Sequence, residues 1–316
     1  MKPPAPASRP AARGLTGAGG GALMAAGSMS CVQLGLALSV RLFDQLGPLG
    51  VTGLRLAWAG VLLIVLIRPR LRDFTGKDLL ACGLLGAVTA GMMLMFMLAA
   101  ARIPLGSASA LEFLGPLAVS LSGPGSGHRR WAAPAAVGVV LLTQPWHGGI
   151  NPAGLAFALA AGACWGAYIL LTQHVGDRVT GLTGLAVSIP VAGVIGMLAA
   201  APSLSRVTWQ LLGIMLALAA LHPVVTFSLE LQALRRLTAS AFGTLMSLEP
   251  AIALLAGLLV LRQVPGAPAA AGIVLVVIAG VAATRAGGRA AVSSDDYRDS
   301  EGPRDAQLPP DARQPV

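Results

Sequence analysis

Residues 239–261 read ASAFGTLMSLEPAIALLAGLLVL, an apolar run of 23 residues with a single ionisable side chain, Glu249, directly followed by Pro250. A helix that crosses a bilayer needs about 20 consecutive, predominantly apolar residues. This run therefore predicts a transmembrane helix, and its one acidic residue is an anomaly that needs a reason.

The composition of the whole chain indicates the same class of protein. Of its residues 55% are hydrophobic and only 11% are charged, whereas soluble domains carry roughly a quarter charged residues. The net charge of +9 does not indicate a nucleic-acid partner, because the basic residues lie in the gaps between apolar runs. The three cysteines form no C-x-x-C pair, so no metal site or cofactor is predicted.

Apolar runs recur along the chain and predict an all-α membrane protein with ten transmembrane helices. Lys and Arg are concentrated in alternate connections, which favours a bilayer orientation with both termini cytoplasmic. Residues 1–20 predict a disordered cytoplasmic leader and residues 287–316 a disordered cytoplasmic tail. The ten predicted segments are Gly21–Phe43, Val51–Ile67, Leu79–Ala101, Ser107–Gly123, Trp131–Trp146, Pro152–Thr172, Leu182–Ala201, Trp209–Leu231, Ala239–Leu261 and Ala267–Thr284.

An internal repeat relates the two halves of the chain. Three short patterns recur at offsets of 135, 131 and 134 residues. They predict five-helix repeats over residues 21–147 and 152–286, and an odd number of helices in each half makes the repeats inverted, as in many secondary transporters. The matched patterns are Ala25-Ala26-Gly27 with Ala160-Ala161-Gly162, Thr52-Gly53-Leu54 with Thr183-Gly184-Leu185, and Leu111, Leu114 and Pro116 with Leu245, Leu248 and Pro250.

The acidic residues that fall within apolar runs are Glu112, Glu230 and Glu249, and Arg55 is the Lys or Arg residue that lies clearly inside one. A charge at the middle of a bilayer costs about 2.5–3.5 kcal/mol on the insertion scale, so such residues are usually functional. Glu230 lies near the end of its run with two arginines just beyond it, and we interpret it as structural. The other three are predicted to contribute to a central site for a small solute and for protons.

The two remaining glutamates lie beside prolines that match under the repeat. Pro116 cannot donate to the carbonyl group of Glu112, and Pro250 leaves the carbonyl group of Met246 free in the same way. We therefore predict helix kinks at both prolines, with both carboxyl groups facing a central cavity. A carboxyl group in a partly dry cavity can exchange a proton near neutral pH; the alternative is a buried Glu–Arg pair that locks helices together.

Arg55 aligns with Ala186 under the repeat, so this positive charge has no counterpart in the second half. Its guanidinium group can bind a substrate carboxylate through two parallel hydrogen bonds. A structural ion pair with one of the glutamates is the alternative. Three uncharged residues are further binding candidates, with helix packing as the alternative for the aromatic ones: Gln33, Trp165 and Tyr168.

These residues resemble the drug/metabolite transporter superfamily with its paired EamA domains, and more narrowly the threonine and homoserine exporters of bacteria. The resemblance implies ten helices in an inverted repeat, a bacterial plasma (inner) membrane, and proton-driven export of amino acids or related metabolites. The segments that carry it are Gly50-Val51-Thr52-Gly53-Leu54-Arg55-Leu56, Ile103 to Pro116, Ala161-Gly162-Ala163-Cys164-Trp165, and Phe242 to Pro250.

Two departures from the family pattern leave the exact substrate open. Relatives commonly have Gly-Glu where this chain has Leu261-Arg262-Gln263, and Pro-Tyr where it has Thr226-Phe227. Export of another metabolite or a cationic drug is the alternative within transporters. A membrane-embedded enzyme or a scaffold would be a different class, but no H-E-x-x-H or G-x-S-x-G pattern occurs. Transport direction, stoichiometry and oligomeric state, a homodimer included, stay open.

Overall fold

The computed structural model describes residues 18–121, 131–144, 151–176, 183–226 and 239–286, with residues 229, 232, 233, 236 and 237 between the last two ranges. Most of the predicted leader, the predicted tail and Glu230 lie outside the described residues. Within those ranges the α-helices, labelled in chain order, are α1 Ala18–Val40, α2 Phe43–Ile67, α3 Gly76–Ala100, α4 Leu105–Glu112, α5 Leu114–Leu121, α6 Ala132–Thr143, α7 Pro152–Gly176, α8 Thr183–Ala200, α9 Trp209–Ala220, α10 Ala239–Met246, α11 Glu249–Leu261 and α12 Ala267–Ala286.

Six helical stretches in the described part of the chain are long and apolar enough to cross a membrane, and four shorter apolar helices accompany them. The protein is therefore a multi-pass membrane protein whose described part is all-helical. Each predicted apolar segment overlaps one of these helices or a pair of them. The number of spans stays a prediction. The six long stretches are Gly19–Val40, Phe43–Ile67, Gly76–Ala100, Pro152–Thr172, Thr183–Arg206 and Thr244–Leu261.

The fourth and ninth predicted segments are each divided into two short helices. Phe113 separates α4 from α5, and Ser247 and Leu248 separate α10 from α11. Pro116 and Pro250 lie in the first turn of the second helix of each pair, where a missing N–H group removes no intrahelical bond. The prolines are thus placed just after the breaks.

Helix α2 begins earlier than its apolar run. It starts at Phe43 and bends at Gly47, whose φ of 70° is left-handed, just before Pro48. Such a φ favours glycine, because a Cβ atom would be strained there. The predicted start at Val51 was therefore eight residues late.

Close helix crossings hold the two halves of the chain together. Helix α2 packs along α8, and α6 packs along α12. A Cβ atom on Gly53 would clash with the carbonyl oxygen of Gly196, and one on Gly138 would lie 2.8 Å from the carbonyl oxygen of Gly272. Small residues let transmembrane helices approach to this distance.

Helix α9 continues into a π-helical turn, Leu221–Thr226, which packs against α1. Pro223 lies within this turn and has no N–H group, so regular α-helical bonding is interrupted there. The Ser28 hydroxyl group on α1 donates to the carbonyl oxygen of Thr226 at 3.4 Å. Helix α1 also packs against α11, and this contact leads to the candidate site.

Candidate functional site

A hydrogen bond joins Gln33 of α1 to Glu249, the first residue of α11. The Gln33 Nε2 atom donates to the Glu249 Oε1 atom at 3.1 Å. Only 1% of Gln33 and 9% of Glu249 is exposed, so the bond lies in the interior. Burying a carboxyl group without polar partners would be unfavourable, and the break before α11 provides a helix N-terminus that favours negative charge.

Glu112 is the last residue of α4 and lies close to the same carboxyl group. The charges of Glu112 and Glu249 are near enough to repel each other directly. The backbone of Glu112 rests on α7, where a Cβ atom on Gly162 would lie 2.7 Å from the carbonyl oxygen of Glu112. The structure therefore brings together the two glutamates that the sequence singled out, one at the break in each divided helix.

Arg55 is buried in α2 with neutral partners. Only 4% of it is exposed; its Nη1 atom donates to the Ser39 Oγ atom at 3.0 Å, and its Nη2 atom lies 3.6 Å from the Met93 Sδ atom. Among the described residues, which include both glutamates, no carboxylate pairs with Arg55. The ion pair that the sequence left open is therefore not formed.

Helix α1 connects the two parts of the site. It carries Gln33, which holds Glu249, and Ser39, which holds Arg55. Six residues separate the two positions, which corresponds to roughly 9 Å along a helix axis. The buried Arg55 and the buried Glu249, with Glu112 close to the latter, are thus arranged along one helix.

The aromatic candidates lie in two different environments. Trp165 packs edge-to-face against Phe113, with 6.1 Å between ring centroids, and Phe113 is the residue between α4 and α5. Trp165 thus supports the break that positions Glu112. Tyr168 packs with Cys82 and Leu85 in an apolar cluster between α3 and α7.

Ser39 and Met93 were missed by the sequence reasoning. Both are uncharged residues within apolar runs, where Ser and Met commonly pack without a polar role. Nothing in their local sequence distinguishes them. Only Arg55, on the helix between theirs, gives a reason to look for polar partners on its neighbours.

A multi-pass helical protein with acidic groups at broken helices and a buried basic group on a neighbouring helix has the architecture of a membrane transporter. The chain belongs to the EamA-like transporter family, whose family model matches residues 152–284. The chain is 37% identical over 246 residues to the threonine/homoserine exporter RhtA of Salmonella typhimurium strain LT2, covering 75% of this chain and 81% of that protein. It is 36% identical over 245 residues to RhtA of Escherichia coli strain K12, with the same coverage.

A solved crystal structure is also similar to the chain. It aligns with a TM-score of 0.57 and 18% sequence identity, and covers 85% of this chain and 98% of that one. At this level of identity the similarity shows the fold alone.

Proposed function

We propose that this protein is a secondary active transporter that exports small amino acids of the threonine and homoserine type, or related metabolites, in exchange for protons. The similarity to the named exporters supports the amino-acid class. The observation that carries the proposal is the buried guanidinium group of Arg55, which has only neutral partners among the described residues. Helix α1 contacts both Arg55, through Ser39, and Glu249, through Gln33.

A buried charge is strongly unfavourable unless a partner of opposite charge compensates it. Ser39 and Met93 offer Arg55 a hydroxyl group and a sulfur atom, neither of which carries a charge. A substrate carboxylate would supply the missing charge and accept two parallel hydrogen bonds from the guanidinium fork. Arg55 is therefore proposed to bind the carboxylate of the amino acid.

The acidic part of the site suits an ammonium group and a proton. The charges of Glu112 and Glu249 repel each other, so ionisation of both together is unfavourable unless a proton or another cation binds to the pair. A substrate ammonium group relieves the same repulsion. Proton and ammonium would then compete for one pair of carboxyl groups, and this competition produces antiport.

The proposed architecture is ten membrane spans in two inverted repeats, residues 21–147 and 152–286, in the bacterial inner membrane with both termini cytoplasmic. Two features support the repeat. Helices α4 and α10 have eight residues each. The first and last residues of α10 each lie 134 positions after those of α4, the same offset that relates Pro116 to Pro250. Contacts between the halves also come in matched pairs: α3 packs on α7 as the Leu221–Thr226 turn packs on α1, and α5 packs on α7 as α11 packs on α1.

The direct test uses proteoliposomes loaded with radiolabelled threonine and given an inward proton gradient. We expect threonine efflux that depends on the gradient and stops when a protonophore dissipates it, with Glu112→Gln and Glu249→Gln as uncoupled variants. Absence of gradient-dependent efflux of threonine, homoserine or any other amino acid would overturn the proposal. Gradient-dependent movement of a lipophilic cation alone would favour the alternative of a cationic-drug exporter.

A further inference from the structure

A cavity of about 250 Å³ lies apart from the residues described above, where α4 and α12 begin and α6 and α11 end. Four polar side chains contribute to its wall: Ser107, Thr143, Gln144 and Gln263. Gly257 of α11 lines it as well, eight residues beyond Glu249, which is roughly 12 Å along the helix. The cavity volume is about eight times the ~30 Å³ share of one water molecule in the liquid, in the size range of a small amino acid.

The start of α4 presents hydrogen-bond donors to this cavity. The Leu105 N–H group donates to the Gln263 Oε1 atom at 2.9 Å, but no described residue accepts from the N–H groups of Gly106 and Ser107. Ser107 is 5% exposed, and its hydroxyl group has no hydrogen-bond partner among the described residues although it lines the cavity. Free donors at a helix start favour an anionic group.

The end of α6 presents the opposite polarity. Gln144 adopts a left-handed conformation that ends the helix, and its N–H group donates to Val140 at 3.0 Å. The Thr143 hydroxyl group donates to the same carbonyl oxygen at 3.3 Å. The later carbonyl groups of a helix end have no intrahelical donors, and they favour a cationic group.

No Asp, Glu, Lys or Arg is among the described residues that line the cavity. Among these residues a ligand with a net charge would find no counter-charge, whereas a neutral molecule with separated charges would meet a helix start at one end and a helix end at the other. We infer that the cavity is a second binding site for an α-amino-acid zwitterion. Its carboxylate is bound by the N–H groups of Gly106 and Ser107 and by the Ser107 hydroxyl group, and its ammonium group by the last carbonyl groups of α6.

This site adds a second binding step to the proposed function, and its role in transport rests on that proposal. Close packing separates it from the Glu249 region, since a Cβ atom on Gly106 would lie 2.9 Å from the Cα atom of Leu254 on α11. An amino acid released between α4 and α11 reaches this cavity when the two helices part. The site therefore binds the exported molecule between the central site and the aqueous phase.

The test places a cysteine in the cavity of the full-length protein in detergent, so that membrane orientation does not matter. Cys31, Cys82 and Cys164 are replaced by alanine, and the reaction of Ser107→Cys with a small methanethiosulfonate is timed. At a threonine concentration roughly ten times its Kd, we expect labelling to slow about tenfold. Ser109→Cys, on the same helix and outside the cavity wall, is the matched control and should show no change.

Threoninol, which lacks the carboxylate, and 3-hydroxybutyrate, which lacks the ammonium group, should not protect Ser107→Cys. Equal protection by either compound, no protection by threonine, or the same protection at Ser109→Cys would overturn the inference. Adding Glu249→Gln to the same background separates the two proposals: protection should persist while export is lost. Normal export without any protection rejects this site alone, and protection in a protein that exports no amino acid supports the site but rejects the proposed function.

Discussion

Gln33 donates a hydrogen bond to Glu249 across 216 positions of the chain and joins α1 to the first turn of α11. Both residues are buried. A hydrogen bond to a charged group contributes about 1.5–3 kcal/mol. The position of α1 and that of the Glu249 carboxyl group are therefore linked.

Gln33→Met removes this donor with little change in size. Without it the buried carboxylate loses a hydrogen bond that contributes about 1.5–3 kcal/mol, so proton-driven threonine export should fall at least tenfold. The measurement is threonine efflux from proteoliposomes under an inward proton gradient. Ser30→Ala, which removes only a hydrogen bond within α1, is the matched control. Unchanged efflux in Gln33→Met would show that the bond plays no part in transport.

Glu112 and Glu249 should behave as one unit, because their carboxyl groups repel each other and are proposed to bind the same proton or substrate ammonium group. We expect Glu112→Gln and Glu249→Gln each to reduce proton-coupled export at least tenfold, roughly 1.4 kcal/mol or more. The double variant should lose no more export activity than the more impaired of the two single variants. Asp44→Asn changes an exposed acid in the same way and should have no effect. Multiplicative losses in the double variant would mean that the two residues act independently.

The sequence predicted much of the helical pattern. The lengths of the apolar runs locate the helices, because a bilayer requires about 20 apolar residues for each span. The prolines at 116 and 250 indicated where two of the runs are interrupted. The start of α2 was misplaced because the apolar run begins after Gly47 and Pro48. The helix itself begins before these two residues, bends at Gly47 and continues.

The partners within the site were less predictable. Glu112, Glu249 and Arg55 were identified because a charge in an apolar run is rare. Their neighbours depend on how each helix is rotated about its axis. A helix that is apolar on all sides carries no pattern that encodes this rotation. The Gln33–Glu249 bond and the contact of Arg55 with Ser39 therefore required the structure.

Arg55 gives a prediction that separates binding from stability. Arg55→Lys keeps the charge but loses the planar fork, so the KM for threonine should rise about 10- to 100-fold. Arg55→Met should abolish export yet lower the free energy of unfolding little, because no carboxylate among the described residues is left without its partner. Transport assays and thermal unfolding in detergent measure the two effects, with exposed Arg70→Met as the control. Unfolding of Arg55→Met at a much lower temperature would indicate a structural role.

The last prediction concerns the contact between α7 and Glu112. A methyl group at position 162 would lie 2.7 Å from the carbonyl oxygen of Glu112, so Gly162→Ala has to push α4 away from α7. Overpacking of this kind costs about 1–3 kcal/mol, and the displaced Glu112 should also weaken proton coupling. Gly83→Ala on α3, with nothing within 4 Å of the added methyl group, should be neutral or up to about 1 kcal/mol stabilising. Thermal unfolding and threonine efflux, measured on both variants, compare the two positions. If Gly162→Ala unfolds at the same temperature as Gly83→Ala and exports threonine equally well, α7 does not hold Glu112 in place.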